Sequence, residues 1–496
     1  MMSKKVILAN RRSTFSALVT LIPLTLLSLA GCAVGPDYVR PVTIAAADMP
    51  QSFKEDWKPA EPQDQTLPVQ WWTLFKDPNL NALMEQVATG NLSLAQAEAN
   101  YRSALALVDN TKAAYFPTLT GDVSRNRSKS FGGPVNTLNS VGVTASWELD
   151  IWGGVRRAVE VQDNTALASY ANVQAILLSM QAQLAQAYFQ LRVLDAQEEL
   201  LEHTVDEYQR SLKLTQNQYK SGIVATDSVL IAETQLKSTQ AQALDVGVLR
   251  AQYEHAIATL IGKPVSVFSI APIARGQASY LPGIPTVPVT VPSALLERRP
   301  DVAAAERSVA AANAQIGVTK AAFFPNLILG ANGGYQSSTL SKWLSLPNRV
   351  WSVGPQLAGT LFDGGARTAQ HTQAIAAYDA SVAGYRLTVL TAFQSVEDIL
   401  AALRILKDEA VVQSAASASA RKALEVTMNQ YKAGTVNYLN VVTAQTTALN
   451  NERSDLTITN SRLVATVQLI AALGGGWHGL DQQAVIFEHS GSPEAN

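Results

Sequence analysis

Few residues in this 496-residue chain have the type and spacing to do chemistry, and the first is a thiol. Cys32 is the only cysteine, which excludes a disulfide framework and a thiolate metal cluster. It closes Leu29-Ala30-Gly31-Cys32, after an apolar run from Phe15 to Leu29 that follows Lys4, Lys5, Arg11 and Arg12. A basic stretch, an apolar stretch and small residues before a cysteine predict a lipoprotein leader over 1–31, with Cys32 acylated as the mature N-terminus. Pro23 and the shortness of the apolar run argue against a transmembrane helix holding a buried cysteine. Ala33 follows, not the aspartate that marks inner-membrane retention. Loss of the four leader cations takes the formal charge from −2 to −6.

The remaining reactive side chains do not assemble into a site. His203, His255, His371, His478 and His489 fall at no ligand spacing. No phosphate loop, dinucleotide fingerprint, zinc-protease motif or nucleophile elbow occurs. Glu198-Glu199 and Asp408-Glu409 read as solvated helix faces, and no carboxylate pair stands out as acid and base. Arg298-Arg299-Pro300-Asp301 reads as a helix start, with Pro at the first position and an acid in the first turn. Gly153-Gly154 and Gly364-Gly365 read as sharp strand-to-helix turns, not phosphate cradles. The expectation is no catalytic residue, no metal and no cofactor. Charged residues are 16%, against roughly 25% in ordinary globular proteins. A formal charge of −2 gives no electrostatic case for nucleic acid.

The elements that would position any function come in two copies. Thr111-Lys112-Ala113-Ala114-Tyr115-Phe116-Pro117 recurs as Thr319-Lys320-Ala321-Ala322-Phe323-Phe324-Pro325. Leu149-Asp150-Ile151-Trp152-Gly153-Gly154 is answered by Leu361-Phe362-Asp363-Gly364-Gly365, and Asn217-Gln218-Tyr219-Lys220-Ser221-Gly222 by Asn429-Gln430-Tyr431-Lys432-Ala433-Gly434. One offset of ~210 residues relates all three pairs, which marks a duplicated unit. Each unit begins with a helix (91–115, 301–323). Two strands follow. Val141, Val143, Ala145, Trp147 and Leu149 alternate with small or polar residues, as do Leu327, Leu329, Ala331 and Tyr335. Trp351, Val353, Pro355, Leu357 and Leu361 repeat the pattern; the segment 118–128 shows it least clearly. Trp147, Trp152 and Trp351 fit either a core or a belt at a membrane interface.

After each Gly-Gly turn comes a helix without Pro, over 154–220 and 365–432, about 100 Å long at ~1.5 Å per residue. Helices of that length normally belong to coiled coils. Gly222 and Gly434 suit the caps that end them. Returning helices follow over 226–262 and 438–473, with Thr226 or Asp227, and Asn437, as N-caps. No later apolar run reaches the ~18 residues of a membrane helix, so a membrane role falls to strands or to lipid. Four strands cannot close a barrel, and an open edge in lipid costs several kcal/mol per unpaired group, so such strands require an oligomer. Strand hairpins and helical hairpins leave the turns in opposite directions, which predicts a short barrel carrying a long tube. The tube's Gln, Asn, Ser and Thr suit a water-filled lining.

These residues resemble the TolC-like outer-membrane efflux family, in particular its OprM-type lipoprotein branch. The resemblance rests on Gly31-Cys32 with Val34-Gly35-Pro36-Asp37-Tyr38 and Arg40-Pro41, on Trp71-Trp72 with Asp77-Pro78, and on Leu295-Leu296-Glu297-Arg298-Arg299-Pro300-Asp301-Val302. The Leu361–Gly365 and Gln430–Gly434 segments belong to it as well. It implies a mainly α fold with a membrane β-hairpin part, four strands per protomer joining a trimeric 12-stranded barrel, and a long α-helical periplasmic tunnel with an equatorial collar. The division it implies is a leader over 1–31, an anchor and equatorial segment over 32–90, and a first repeat over 91–264. That repeat holds barrel strands within 118–150 and a helical hairpin over 154–262. A linker over 265–300 leads to the second repeat over 301–474, with strands within 326–362 and a hairpin over 365–473, and a tail over 475–496.

Implied partners are two further copies, a periplasmic adaptor (membrane fusion protein), an inner-membrane pump and outer-membrane lipid. The implied function is a passive exit duct for drugs, dyes, metals or metabolites. A duct for type I protein or peptide secretion is the alternative, followed by a non-channel periplasmic coiled-coil lipoprotein, which would lack paired amphipathic strands in duplicate. The resemblance also implies a closure just beyond the second hairpin tip, often an apolar ring and an acid ring. Aligning Tyr431 and Gly434 puts Leu439 at the apolar position, and Asn440 and Thr443 where acids often stand. Asp227 on the first tip is the nearest acid able to compensate.

Overall fold

The computed structural model describes residues 33–42, 68–273, 281–287, 298–477 and 479–480. The leader expected over 1–31, Cys32 and most of the expected C-terminal tail lie outside them. The first elements are helices α1 (Pro78–Gly90) and α2 (Leu92–Lys112), strands β1 (Thr118–Lys129) and β2 (Val135–Leu149), and helices α3 (Gly154–Lys220) and α4 (Thr226–Leu260). From α2 onward the second half repeats that order as α5 (Pro300–Ala321), β3 (Asn326–Ser337), β4 (Arg349–Ala358), α6 (Ala366–Lys432) and α7 (Tyr438–Ala472). Strand β4 ends at Ala358, so Leu361 does not continue its pattern. It stands fully exposed in the connection to α6. Pro300 opens α5 with Asp301 in the first turn, and Arg299 grips that carboxylate through Nε at 3.0 Å and Nη2 at 2.6 Å.

Two compact units divide the chain. One gathers the residues up to Pro41 with Tyr101–Ala168 and Ala305–Tyr385; the other gathers Val42–Asn100, Ser169–Ala304 and Arg386 onward. The repeats do not form separate bodies, because β2 of the first pairs with β3 of the second. The sheet is wholly antiparallel, in the order β1-β2-β3-β4, and belongs to the first unit. The second unit buries Trp71, Phe75, Leu80 and Met84 against Tyr188, Phe189, Val396, Leu400 and Ile470. Asp77 holds this corner, accepting the Asn79 and Leu80 amides at 2.9 and 3.2 Å and the Tyr188 hydroxyl at 2.7 Å. It caps α1 and ties it to α3 in one contact set.

The two long helices end alike. The Ile223 amide donates to the Gln218 carbonyl and Gly222 to Tyr219; Thr435 donates to Gln430 and Gly434 to Tyr431. This is the paired-bond glycine cap, and both glycines hold the left-handed φ it requires, 72° and 74°. The tips have equal length, so the next helix starts at equivalent positions, Ala225 and Asn437. Asn437 caps α7, accepting from the Asn440 amide at 3.2 Å. The cap expected at Thr226 or Asp227 is absent: Ala225 occupies the position without a side-chain bond, and Thr226 is already helical. The turn geometry, not the nearest polar residue, sets the cap.

Candidate functional site

The sheet register sorts every strand residue onto one of two faces. Val123, Val141 and Tyr335 share a row with Arg349, while Leu119, Ala145, Ala331 and Val353 share another, and Leu149, Leu327 and Leu357 a third. This face is apolar, and its side chains are uncovered: Leu119, Val123, Val353 and Leu357 are each 67–72% exposed. The opposite face carries Ser124, Ser140, Thr144, Asn332, Gln336, Ser352 and Gln356. On it the Ser124 and Ser140 hydroxyls bond across the strands at 2.7 Å. Strand β1, the least clear in sequence, begins on the apolar face with Leu119 and Val123 and ends there with Arg125, Arg127 and Lys129. The outer edges of β1 and β4 have no strand partner among the described residues.

The strand-to-helix turns lie at the foot of this sheet. Gly153 adopts φ 75°, Gly364 64° and Gly365 90°, whereas Gly154 already belongs to α3. The aspartate of each repeat caps the helix beyond. Asp150 accepts the Val155 and Arg156 amides at 2.8 and 2.9 Å, and Asp363 accepts the Gly365 amide at 3.0 Å and Arg367 Nε at 2.5 Å. Trp152 stacks on Phe324 and donates to the Pro325 carbonyl at 2.8 Å; Trp147 donates to the Tyr115 carbonyl at 3.0 Å. These two tryptophans therefore anchor the foot of the sheet, while Trp351 stands on the apolar face, 69% exposed.

The segment after Cys32 is a strap, held by contacts along most of its length. Val34 N–H donates to the Trp152 carbonyl at 3.0 Å. Gly35, at φ 110°, lies so close to Gly317 that a Cβ would meet its Cα at 2.5 Å. The Pro36 carbonyl accepts from Asn313 at 3.1 Å, Asp37 accepts from Arg157 at 2.6 Å, and the Tyr38 hydroxyl donates to Glu306 at 2.5 Å. Arg40 donates to the Tyr385 hydroxyl at 3.1 Å. Burial, with Glu306 beside it, raises the Tyr38 pKa well above the ordinary phenol value. Ala33 packs on the first turn so closely that a Cβ on Gly153 would sit 2.7 Å from the Ala33 Cβ.

In the second unit the tip residues separate into two sets. Tyr431 is buried, with its ring 5.3 Å from Tyr438 in an edge contact and its hydroxyl 3.0 Å from Thr215. Tyr438 bonds Ser211 at 3.2 Å. Burial raises both tyrosine pKa values. With Ala232 and Val441 they form a small core that joins the two hairpins. Leu439, 57% exposed, and Asn440 and Thr443 occupy the opposite, open side of α7. Asp227 is exposed on the other tip and accepts the Ser228 amide at 2.6 Å.

Sequence reading missed two charged features. Asp195, with its side chain 1% exposed, accepts from Arg192 at 3.0 Å and Arg250 at 2.6 Å. These arginines also hold the Ala271 and Ile270 carbonyls at 2.9 and 2.7 Å, strapping the chain after α4 onto α3 and α4. Only the apolar neighbours of Asp195 on a helix would have betrayed its burial. Glu198 and Glu199 are half-buried, not solvated; Glu199 lines an open groove between α3, α6 and α7 with Glu207, Arg421 and Glu452. Asp408 and Glu409 are exposed as expected. Among the described residues no three His, Cys, Asp or Glu side chains converge to hold a metal. No described helix is long and apolar enough to cross a membrane.

Comparison with known proteins agrees with this architecture. A profile described as "Outer membrane efflux protein" matches residues 83–263 and again 291–475, one match per repeat. The cation efflux system protein CusC of Escherichia coli O6:H1 is 29% identical over 456 residues, covering 91% of this chain and 97% of that protein. The solvent efflux pump outer membrane protein SrpC of Pseudomonas putida is 30% identical over 459 residues, with the same coverage of 91% and 97%. Among solved structures, the outer-membrane channel OprN superposes with a TM-score of 0.82 at 30% identity, covering 90% of this chain and all of that one. With both repeats matched and the fold shared across nine-tenths of its length, the chain belongs to the outer membrane efflux protein family.

Proposed function

We propose that the chain is the passive exit duct of a tripartite efflux pump, one of three identical protomers. Their sheets, four strands each, close a 12-stranded barrel, and their helices form the periplasmic tunnel. A periplasmic adaptor and an inner-membrane pump feed it. The observation that carries this reading is the sheet: one apolar uncovered face, one polar face, and two unpaired edges. Lipid accepts the first face, water the second, and a neighbouring copy the edges, whose unpaired groups would otherwise cost several kcal/mol each in hydrocarbon. The purified protein should conduct ions in planar bilayers in steps of one size; insertion without conductance contradicts the duct.

The cargo is a small solute. CusC and SrpC are named for cations and for solvents, which favours this class over secreted protein. Expression with the cognate adaptor and pump in an efflux-deficient strain should raise tolerance to small toxic compounds, whereas export of a protein substrate alone would replace this reading. The lipid anchor at Cys32 gains support from Ala33 and Val34, which lie against the turn at the foot of the sheet, where an acyl chain has a short path into the inner leaflet. Intact-mass measurement should find an acylated Cys32 as the first residue. The periplasmic closure is Leu439 with Asn440 and Thr443; Leu439 is left 57% exposed by the described residues, and Tyr431 supports the tip from behind. Leu439→Ala should raise single-channel conductance and sensitise cells to large antibiotics. A normally assembled variant that conducts like the parent puts the constriction elsewhere.

A further inference from the structure

The apolar face of the sheet does not end in neutral residues. Below Arg125, apart from Arg349 at the end of the first row, its rows are hydrocarbon, aromatic or glycine down to Leu149, Leu327 and Leu357. The eight steps from Val141 to Leu149 cover ~27 Å along the strand, or ~21 Å across a barrel tilted by ~40°, close to the ~25 Å apolar band of outer-membrane barrels. Arg125, Arg127 and Lys129 stand on the same face above that band, and Arg349 joins them from the row of Val141 and Tyr335. None of the four has an ion-pair or hydrogen-bonding side-chain partner among the described residues. The only acids in the four strands, Asp122 and Glu148, fall on the opposite face. The two connections at this end, 130–134 and 338–348, contain no acid and add Lys342. A neighbouring copy paired along an edge brings the same strands, and so no acid either.

We propose that Arg125, Arg127, Lys129 and Arg349 form a binding strip for the phosphates of an acylated glycolipid in the outer leaflet of the outer membrane. The reading rests on the barrel, since the helices enter and leave the sheet at its other end, which puts these cations at the outer rim. Cations above a hydrocarbon face match a ligand with acyl chains below and phosphates at the head-group level, each favouring the other by proximity. A soluble anion would use the cations and leave the rows beneath them idle. Tyr335 and Trp351 lie on the same face at the boundary, where amphipathic rings sit between chain and head group.

The test uses the protein purified from membranes in detergent. Its affinity for purified bisphosphorylated lipid A is compared with that for the same lipid after enzymatic dephosphorylation, by native mass spectrometry. The phosphorylated form should bind about tenfold or more tighter, with the preference shrinking as salt rises. The R125Q/R127Q/K129Q variant should lose most of it. Equal binding of the two lipids by the parent protein overturns the proposal without recourse to any variant. So does an unchanged preference in an assembled triple variant. Bilayer conductance of the same preparation separates the outcomes: a conducting protein without lipid preference defeats the strip alone, whereas one that does not conduct defeats the duct beneath it.

Discussion

Gly153 and Gly365 occupy equivalent positions, each just before a long helix, and share a left-handed φ, yet they are constrained differently. Nothing lies within 4 Å of a Cβ built on Gly365, whereas Ala33 of the strap blocks Gly153. Gly365→Ala should cost about 1–2 kcal/mol from backbone strain. Gly153→Ala adds a collision that backbone must relieve, so it should lower the melting temperature further and expose residues 33–41 to protease. Equal behaviour of the two would mean that the strap is not seated there. Asp195 offers a harsher test. Asp195→Ala leaves Arg192 and Arg250 facing each other in a buried site, and breaking such a set typically costs about 3–5 kcal/mol. Urea unfolding should show that loss, and Asp195→Glu should recover part of it. Tyr208 supplies a pH dependence. Burial, opposed by a Gln235 hydrogen bond and helped by nearby Tyr438, Glu207 and Glu452, pushes its phenol from 10.0 up to about 12. A raised pKa means the neutral form is favoured in the fold, so its contribution is intact below pH 10 and fades as pH approaches 12. Tyrosinate absorbance should register this late titration, absent in Tyr208→Phe.

At the level of elements, the strands carry the sharpest expectation. Leu119 and Thr120 are neighbours in β1 but face opposite ways, Leu119 in register with Ala145, midway along the apolar band, and Thr120 with Thr144. Lysine at a lipid-facing position near mid-membrane costs about 2–4 kcal/mol, while a water-facing one costs little. Leu119→Lys should therefore reduce refolding into liposomes, and Thr120→Lys should refold normally with altered ion selectivity. A reversed result would turn the sheet inside out. The long helices depend on contacts between hairpins more than on any one residue. The Tyr431–Tyr438 pair bonds Thr215 and Ser211 of α3, so a double change to Phe removes two hydrogen bonds worth about 1 kcal/mol each. Hydrogen exchange at both tips should quicken while the sheet stays protected.

For the whole molecule, the open edges of β1 and β4 are decisive, since a chain with these strands in lipid cannot persist alone. Mass measurement in mild detergent should give three copies, and Leu119→Lys, which disturbs the sheet at an edge strand, should shift the population toward monomer. A stable monomer that inserts into bilayers would contradict the assembly.

The sequence alone determined the duplication, the extent of the long helices to within a residue or two, and the glycine caps, because these depend on local periodicity and on a φ that only glycine adopts cheaply. It also determined which side of β2, β3 and most of β4 is apolar. It left β1 obscure, since that strand changes from apolar to cationic along one face and so lacks a uniform alternation. Only the tertiary structure decided that this change is continuous with the apolar rows of its neighbours, because register is a pairing between distant segments. The same reason separates Tyr431 from Leu439: eight residues apart across one tip, they look like one motif, yet packing against Thr215 turns the first inward and leaves the second exposed. The strap after Cys32 was legible as a motif, but its purpose was not. Its partners lie as far away as Tyr385, 345 positions along the chain from Arg40, and no local rule specifies contacts at that distance.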